Sequence, residues 1–273
     1  MSSFFLILPL KNEDGKLLFE MKKGILIIAM GIFSLSLFGE KIDSIITVLN
    51  QKNYKQLEAY LKRAEVSSKK DEFNFNEEIS RQIIDSFFEK IINVEEWFPN
   101  IKEGSYHGKI YEILILTNGD SIIYAKLVLY PKGPNTNILI QYSDNKLFHQ
   151  LQKSYSVTYG RKVIIKDFFI SYVVYGNRCG RGAVERDYRI RLNKLIESKN
   201  IKKLDKWLSS PTAEIQVYAV DGFFQLKEKG YTLTPKELQL INIIKNKKGE
   251  IRACSGCIFS SWEITETTEK FKF

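Results

Sequence analysis

The chain has 273 residues, 44% of them apolar and 27% charged, enough to bury a core and unlike a disordered or fibrous polypeptide. Lys and Arg number 41 against 32 acids, giving a net charge of +9, with only two His and three Cys. So few soft ligands argue against a rich transition-metal site; no metal and no cofactor is expected.

The first feature in chain order is Met21-Lys22-Lys23, followed by sixteen uncharged residues, GILIIAMGIFSLSLFG, and then Glu40-Lys41. Two lysines ahead of such a run are the n-region and h-region of a secretory signal. Sixteen helical residues rise about 24 Å, short of the roughly 30 Å hydrocarbon core, which favours a removed signal over a permanent span. Ser34 and Ser36 place small residues before one cleavage point, and Gly39 offers a second. Translation is expected to start at Met21, with residues 1–20 an upstream stretch. The alternative is a signal-anchor that keeps residues 24–39 in the membrane behind a short tail. Exported, periplasmic or extracellular protein is the expectation. Loss of residues 1–39 removes four lysines against three acids and leaves +8. The remaining lysines are scattered, as in KNYK, KNIKK and KNKK, with no compact basic tract interleaved with aromatics, so nucleic acid is not a favoured partner.

Residues 40–98 are expected as an N-terminal helical module. Residues 45–61 align with residues 192–208 through the identical pairs Lys52/Lys199, Asn53/Asn200, Lys55/Lys202, Leu57/Leu204 and Leu61/Leu208. Residues 78–89, EISRQIIDSFFE, align with residues 214–225, EIQVYAVDGFFQ, through Glu78/Glu214, Ile79/Ile215, Asp85/Asp221, Phe87/Phe223 and Phe88/Phe224. Each copy reads as a short helix, a Lys-Asn turn, a second helix and a third. Asn53 and Asn200 are placed at the left-handed position that ends a helix. The pairs Glu77-Glu78 and Glu95-Glu96 read as helix starts and solvated faces. Asp85 and Asp221, repeated at mid-helix, read as a shared structural contact.

Residues 104–175 change character to an antiparallel β segment. Residues 109–116 are rich in β-formers, Thr117-Asn118-Gly119-Asp120 carries the Asn-Gly hairpin signal, and residues 122–130 return before Pro131. Residues 137–142, 157–159 and 163–175 are further strand candidates, with a short helix over 145–153. The expectation is a meander of four or five strands. Tyr124, Tyr130, Tyr142, Tyr155, Tyr159, Tyr172 and Tyr175 are expected to edge a small core, the alternative being an exposed aromatic surface.

Residues 186–262 are expected as a second helical module. Ile201, Leu204 and Leu208 fall at helical spacing, Ser209-Ser210-Pro211-Thr212 stops that helix, and a broad apolar face runs from Ile215 to Leu226. Gly230 ends the next helix. Thr234-Pro235-Lys236-Glu237 opens another with an N-cap, a proline at the first position and a capping-box Glu. The segment LDKWLSSPTAEIQVYAVDGFFQLKEKG resembles a HEAT-type repeat, over residues 190–250 and more faintly over 42–92. The resemblance implies a binding scaffold. The expected fold is thus α+β, with duplicated HEAT-like helical modules flanking the sheet.

Candidate chemistry is sparse. Cys254-Ser255-Gly256-Cys257 is a CxxC, and Cys179 is the third cysteine. In an exported chain a structural disulfide or structural thiols are the first reading. Thiol-disulfide redox by Cys254 and Cys257 is the rival, although the strand-to-helix setting that lowers a thiol pKa is absent. A zinc site lacks a fourth ligand, with His107 and His149 elsewhere in the sequence. Residues 176–186 carry Arg178, Arg181 and Arg186 around several glycines, either a linker or a backbone nest for an anion or glycan. Ser105 and His107 lack an elbow motif and an orienting acid, so hydrolase chemistry is not expected. The sequence reads as a non-enzymatic binding or envelope-structural protein whose partner is an unidentified protein or envelope component.

Overall fold

The computed structural model describes residues 41–68, 72–100, 105–130, 137–180 and 182–273. The signal segment and the upstream stretch lie outside the described residues. Among the described residues no helix is long and apolar enough to cross a membrane. Ile45–Phe273 form one compact unit.

Helices α1 (Lys41–Asn50) and α2 (Tyr54–Ser67) come first among the described residues. Lys52 takes the left-handed conformation at φ +55°, and Asn53 is the N-cap of α2, its side chain accepting from the Gln56 N–H. Five strands follow: β1 (Phe73–Ile84), β2 (Phe87–Asn100), β3 (Ser105–Asn118), β4 (Ser121–Tyr130) and β5 (Asn137–Ser143). They pair antiparallel in the order β1-β2-β3-β4-β5, a meander. The Asn-Gly hairpin joins β3 to β4, with Asn118 opposite Ser121 and Gly119 at φ +56°. The Lys52-Asn53 turn docks on this hairpin through Tyr54 N–H to Asp120 O and Ile122 N–H to Lys52 O.

Residues 78–89, expected as a helix, instead form the β1–β2 hairpin, with Asp85 in its turn at φ +48°. Phe73, Phe75, Ile79, Ile83 and Ile84 carry β-forming side chains, and the Phe-Asn-Phe-Asn alternation ahead of Glu77 has the period of a strand. Helical structure in the N-terminal module therefore ends at Ser67, and two strands of the meander come from residues expected to be helical. Glu77, Glu78, Glu95 and Glu96 lie on β1 and β2.

Helix α3 (Asn145–Tyr159) is capped by Asp144 at its start and by left-handed Gly160 at its end. It absorbs residues 157–159, expected as a strand, because Leu151, Tyr155 and Tyr159 continue one buried helical face. The expected strand over 163–175 is also absent: apart from a 3-10 turn at Ile165–Asp167, the segment is irregular. It still buries Val163, Phe168, Val173 and Tyr175, and borrows backbone partners elsewhere.

A two-residue hairpin, β6 (Arg178–Cys179) with β7 (Val184–Glu185), leads into α4 (Asp187–Glu197), α5 (Ile201–Leu208), α6 (Ala213–Glu228) and α7 (Pro235–Lys245). The capping box of α7 forms as its sequence predicts, Thr234 accepting from Glu237 N–H and Glu237 from Thr234 N–H. The α4–α5 turn repeats the α1–α2 turn: Lys199 sits at φ +50° and Asn200 caps α5 by accepting from Lys203 N–H. In both copies the lysine, not the asparagine, adopts the left-handed conformation. The chain ends in the hairpin β8 (Glu250–Ser255) and β9 (Ile258–Glu263), followed by α8 (Ile264–Glu269). Residues 250–262 are thus strand, not a continuation of the helical module.

Helix α6 is the centre of the core, with Val217, Tyr218, Ala219, Val220 and Phe223 fully buried. One apolar cluster joins it to Ile83, Ile84 and Phe87 of the first hairpin, to Ile123 and Tyr124 of β4, and to α3. Strand β4 is buried along most of its length, which requires cover on both faces. Of the seven tyrosines singled out above, Tyr124, Tyr155, Tyr159 and Tyr175 are core, while Tyr130 and Tyr172 are exposed.

Candidate functional site

Two polar assemblies stand inside this frame. The first is a buried charge cluster where the N-terminal hairpin meets the C-terminal helices. Arg81, 1% exposed, donates from Nε to Glu89 at 2.9 Å and from Nη1 to Glu214 at 2.7 Å. Glu89 also accepts from Phe169 N–H, and Glu214 from Arg252 N–H. Arg252 in turn reaches Glu78 at 2.9 Å. The ammonium of Lys247 donates to Gln216 at 2.8 Å, and burial, helped by the nearby Arg81 charge, pushes its pKa down to about 7. Charges this deep persist only with such partners. A cavity of about 330 Å³ opens at its rim against Glu78 and Arg252, while the buried Arg81 guanidinium fastens the N-terminal hairpin to α6.

The second assembly is a cleft of about 310 Å³ beside the cysteines. The irregular chain before it is sewn to β8 by Tyr175 N–H to Arg252 O and Cys254 N–H to Tyr175 O. Gly176 then passes so close that a Cβ there would lie 2.7 Å from Cys254 Sγ. Cys179 and Cys254 sit at disulfide distance, with Cα atoms 5.9 Å apart and a sequence separation of 75. The pair fixes β6 to β8, and Gly180 N–H to Gly256 O continues the contact.

Opposite this wall lies Asp221 of α6, 7% exposed. It accepts from Arg189 Nη1 at 2.7 Å, from the Tyr175 hydroxyl at 3.2 Å and from Gln225 Nε2 at 2.8 Å. Burial first, and then the negative Asp221, push the Tyr175 phenol well above its ordinary value, so it stays a donor. Tyr218 braces the same corner: its hydroxyl accepts from Gly176 N–H and donates to Gly176 O, and burial pushes its pKa up to about 12. With Asp221 neutralised by Arg189, the charges left on the cleft are Arg178 and Lys270, and Trp262 supplies an aromatic wall. Such a lining attracts an acidic group and stacks a ring.

The sequence-predicted residues divide. Arg178 lines the cleft, whereas Arg186 precedes α4 with its guanidinium 5.8 Å from the Phe259 ring and lines another cavity. Arg181 lies outside the described residues. Arg178 and Arg186 thus line different cavities. Cys254 belongs to the cleft wall and is paired with Cys179; Cys257 is exposed and free in the β8–β9 turn. His107 stands opposite Phe98 in the β2–β3 ladder. Among the described residues no three His, Cys, Asp or Glu side chains gather as a metal-binding group. Arg189, Gln225, Trp262 and Lys270 were not singled out from sequence. One signal was present: Arg189 shares the apolar stripe of α4 with Leu192 and Ile196, a place where a charge needs a buried partner.

No family model, no curated protein and no solved structure matches the chain.

Proposed function

We propose that this is an exported, non-enzymatic binding protein that takes a small acidic ligand, of the carboxylate-bearing sugar type, into the cleft beside Cys179 and Cys254. The observation that carries the reading is the placing of Arg178 and Lys270 on a cleft whose carboxylate, Asp221, already holds three donors. A ligand carboxylate gains charge-assisted hydrogen bonds there without displacing an internal partner. Trp262, on the same lining, is the partner for the ring that carries the acid. Export is supported by the lysine-led apolar segment and by a cysteine pair of the kind kept in oxidising compartments.

Titration of tryptophan fluorescence with D-glucuronate, D-galacturonate and neutral glucose tests the reading. Saturable quenching by a uronate, absent with glucose and weakened at least about tenfold in Arg178→Gln/Lys270→Gln, is the expected result. No saturation by either uronate refutes it. Amino-terminal sequencing of the natural protein tests export. A start just after Ser36 or Gly39 is expected, and an intact Met1 overturns that part.

A further inference from the structure

Away from the cleft, α4 and α5 meet the chain beyond α3 around a groove of about 400 Å³. Its lining includes Arg161, Arg191, Lys203 and Lys206, with Tyr188 and Trp207, and no carboxylate among the described residues. Lys203, Lys206 and Trp207 occupy one face of α5 at spacings of three and four, and Tyr188 and Arg191 share a face of α4. The Tyr188 and Trp207 rings lie 5.6 Å apart, and the Arg191 guanidinium sits 5.1 Å from the Tyr188 ring. Arg161 reaches Asp167 only at 3.8 Å. Of the other acids nearby in sequence, Asp205 faces Glu237 and Lys236, and Asp187 stands beside Tyr188 on the lining of a neighbouring cavity that Tyr188 and Arg191 share. Four cations thus converge on one concavity whose own lining carries no carboxylate, Asp167 and Asp187 standing outside it, an arrangement whose self-repulsion is relieved by an anionic ligand.

We infer that this groove binds a compact oligoanion, a sugar bearing several sulfate or phosphate groups. The two guanidinium forks suit the oxygens of such groups, the two ammonium groups supply point charge, and the rings give a floor for the sugar. The cations close on one pocket-sized groove and do not run along a face, which suits a mono- or disaccharide better than a nucleic-acid strand. The inference stands apart from the acidic-ligand cleft.

Isothermal titration with sucrose octasulfate tests it. Expected is a 1:1 complex that weakens roughly tenfold or more as salt rises from about 50 to about 200 mM. Lys203→Gln/Lys206→Gln, both exposed positions, should lose at least about tenfold in affinity. Lys146→Gln/Lys153→Gln makes the same charge change on α3, away from the groove lining, and should stay within about twofold. The cleft variant Arg178→Gln/Lys270→Gln should also bind normally. Equal loss in the α3 control, or no measurable heat at low salt, overturns the site. Tighter binding of a twelve-residue oligouridylate at the same salt overturns its assignment to a sugar.

Discussion

Residues 78–89 and 214–225 share a Glu, an Ile, an Asp and two Phe at matching positions, yet one folds as a β-hairpin and the other as a buried helix. The difference lies in what surrounds the shared residues. Residues 214–225 follow Pro211-Thr212 and contain Ala219 and Gly222, and Gly222 lets Leu192 and Leu204 pack against the helix. Residues 78–89 follow Phe73-Asn74-Phe75-Asn76, an alternation of period two, and contain three isoleucines. Context therefore overrode identity at almost half of the aligned positions. The two regions nevertheless meet: Arg81 of the hairpin binds Glu214 of the helix. The aligned acids part company too, Asp85 in an exposed turn and Asp221 in the cleft network.

The largest effect should come from cutting the link between the regions. Arg81→Met leaves Glu89 and Glu214 buried without their guanidinium and should cost about 4 kcal/mol in urea denaturation. A loss under about 1 kcal/mol would mean that the hairpin and the helix do not depend on that contact. The aligned aspartates come next. Asp221→Asn strands the buried Arg189 charge and should cost about 3 kcal/mol, whereas Asp85→Asn should stay within about 0.5 kcal/mol, because Asn tolerates the left-handed turn. Equal effects would restore the idea of a shared structural role. Reduction of the Cys179–Cys254 pair should cost about 2–3 kcal/mol. Hydrogen exchange should rise in residues 176–186 and 250–263 while the β1–β2 hairpin stays protected.

The smallest effect concerns Lys247, which sits with Gln216 near Arg81. Its folded pKa of about 7 lies below its ordinary 10.5. Between those values the unfolded chain binds more protons than the folded one, so stability should climb with pH across that window, with the full penalty present below it. Tyr218 and Tyr231, pushed up to about 12 mainly by burial, stay protonated throughout. Lys247→Met should flatten the climb and gain about 1–2 kcal/mol at pH 6. Thermal melts from pH 6 to pH 9.5 read both.

Local chemistry made much of the fold legible. The Asn-Gly hairpin, the capping box at Thr234, the proline stop after α5 and the strands on either side of Gly119 all follow from residues adjacent in sequence. The β1–β2 hairpin was hidden because its resemblance to a helix elsewhere in the chain outweighed its own alternation. The irregular residues 163–175 were hidden because an apolar, β-branched run reads alike whether it joins a sheet or packs under helices. At the cleft, Arg178 was legible as a cation in a glycine-rich loop. Its partners were not, because residues 178, 189, 221, 262 and 270 meet only through tertiary packing. The second groove was illegible for the same reason: a search for a contiguous basic tract cannot find cations at 161, 191, 203 and 206.

The most direct test of the cleft is a ¹⁵N-resolved NMR titration of the oxidised protein with D-glucuronate. The account predicts shift changes clustered at Asn177, Arg178, Ser255 and Lys270, and at the Trp262 indole. Changes confined to Lys203 and Lys206, or none at saturating ligand, would contradict it.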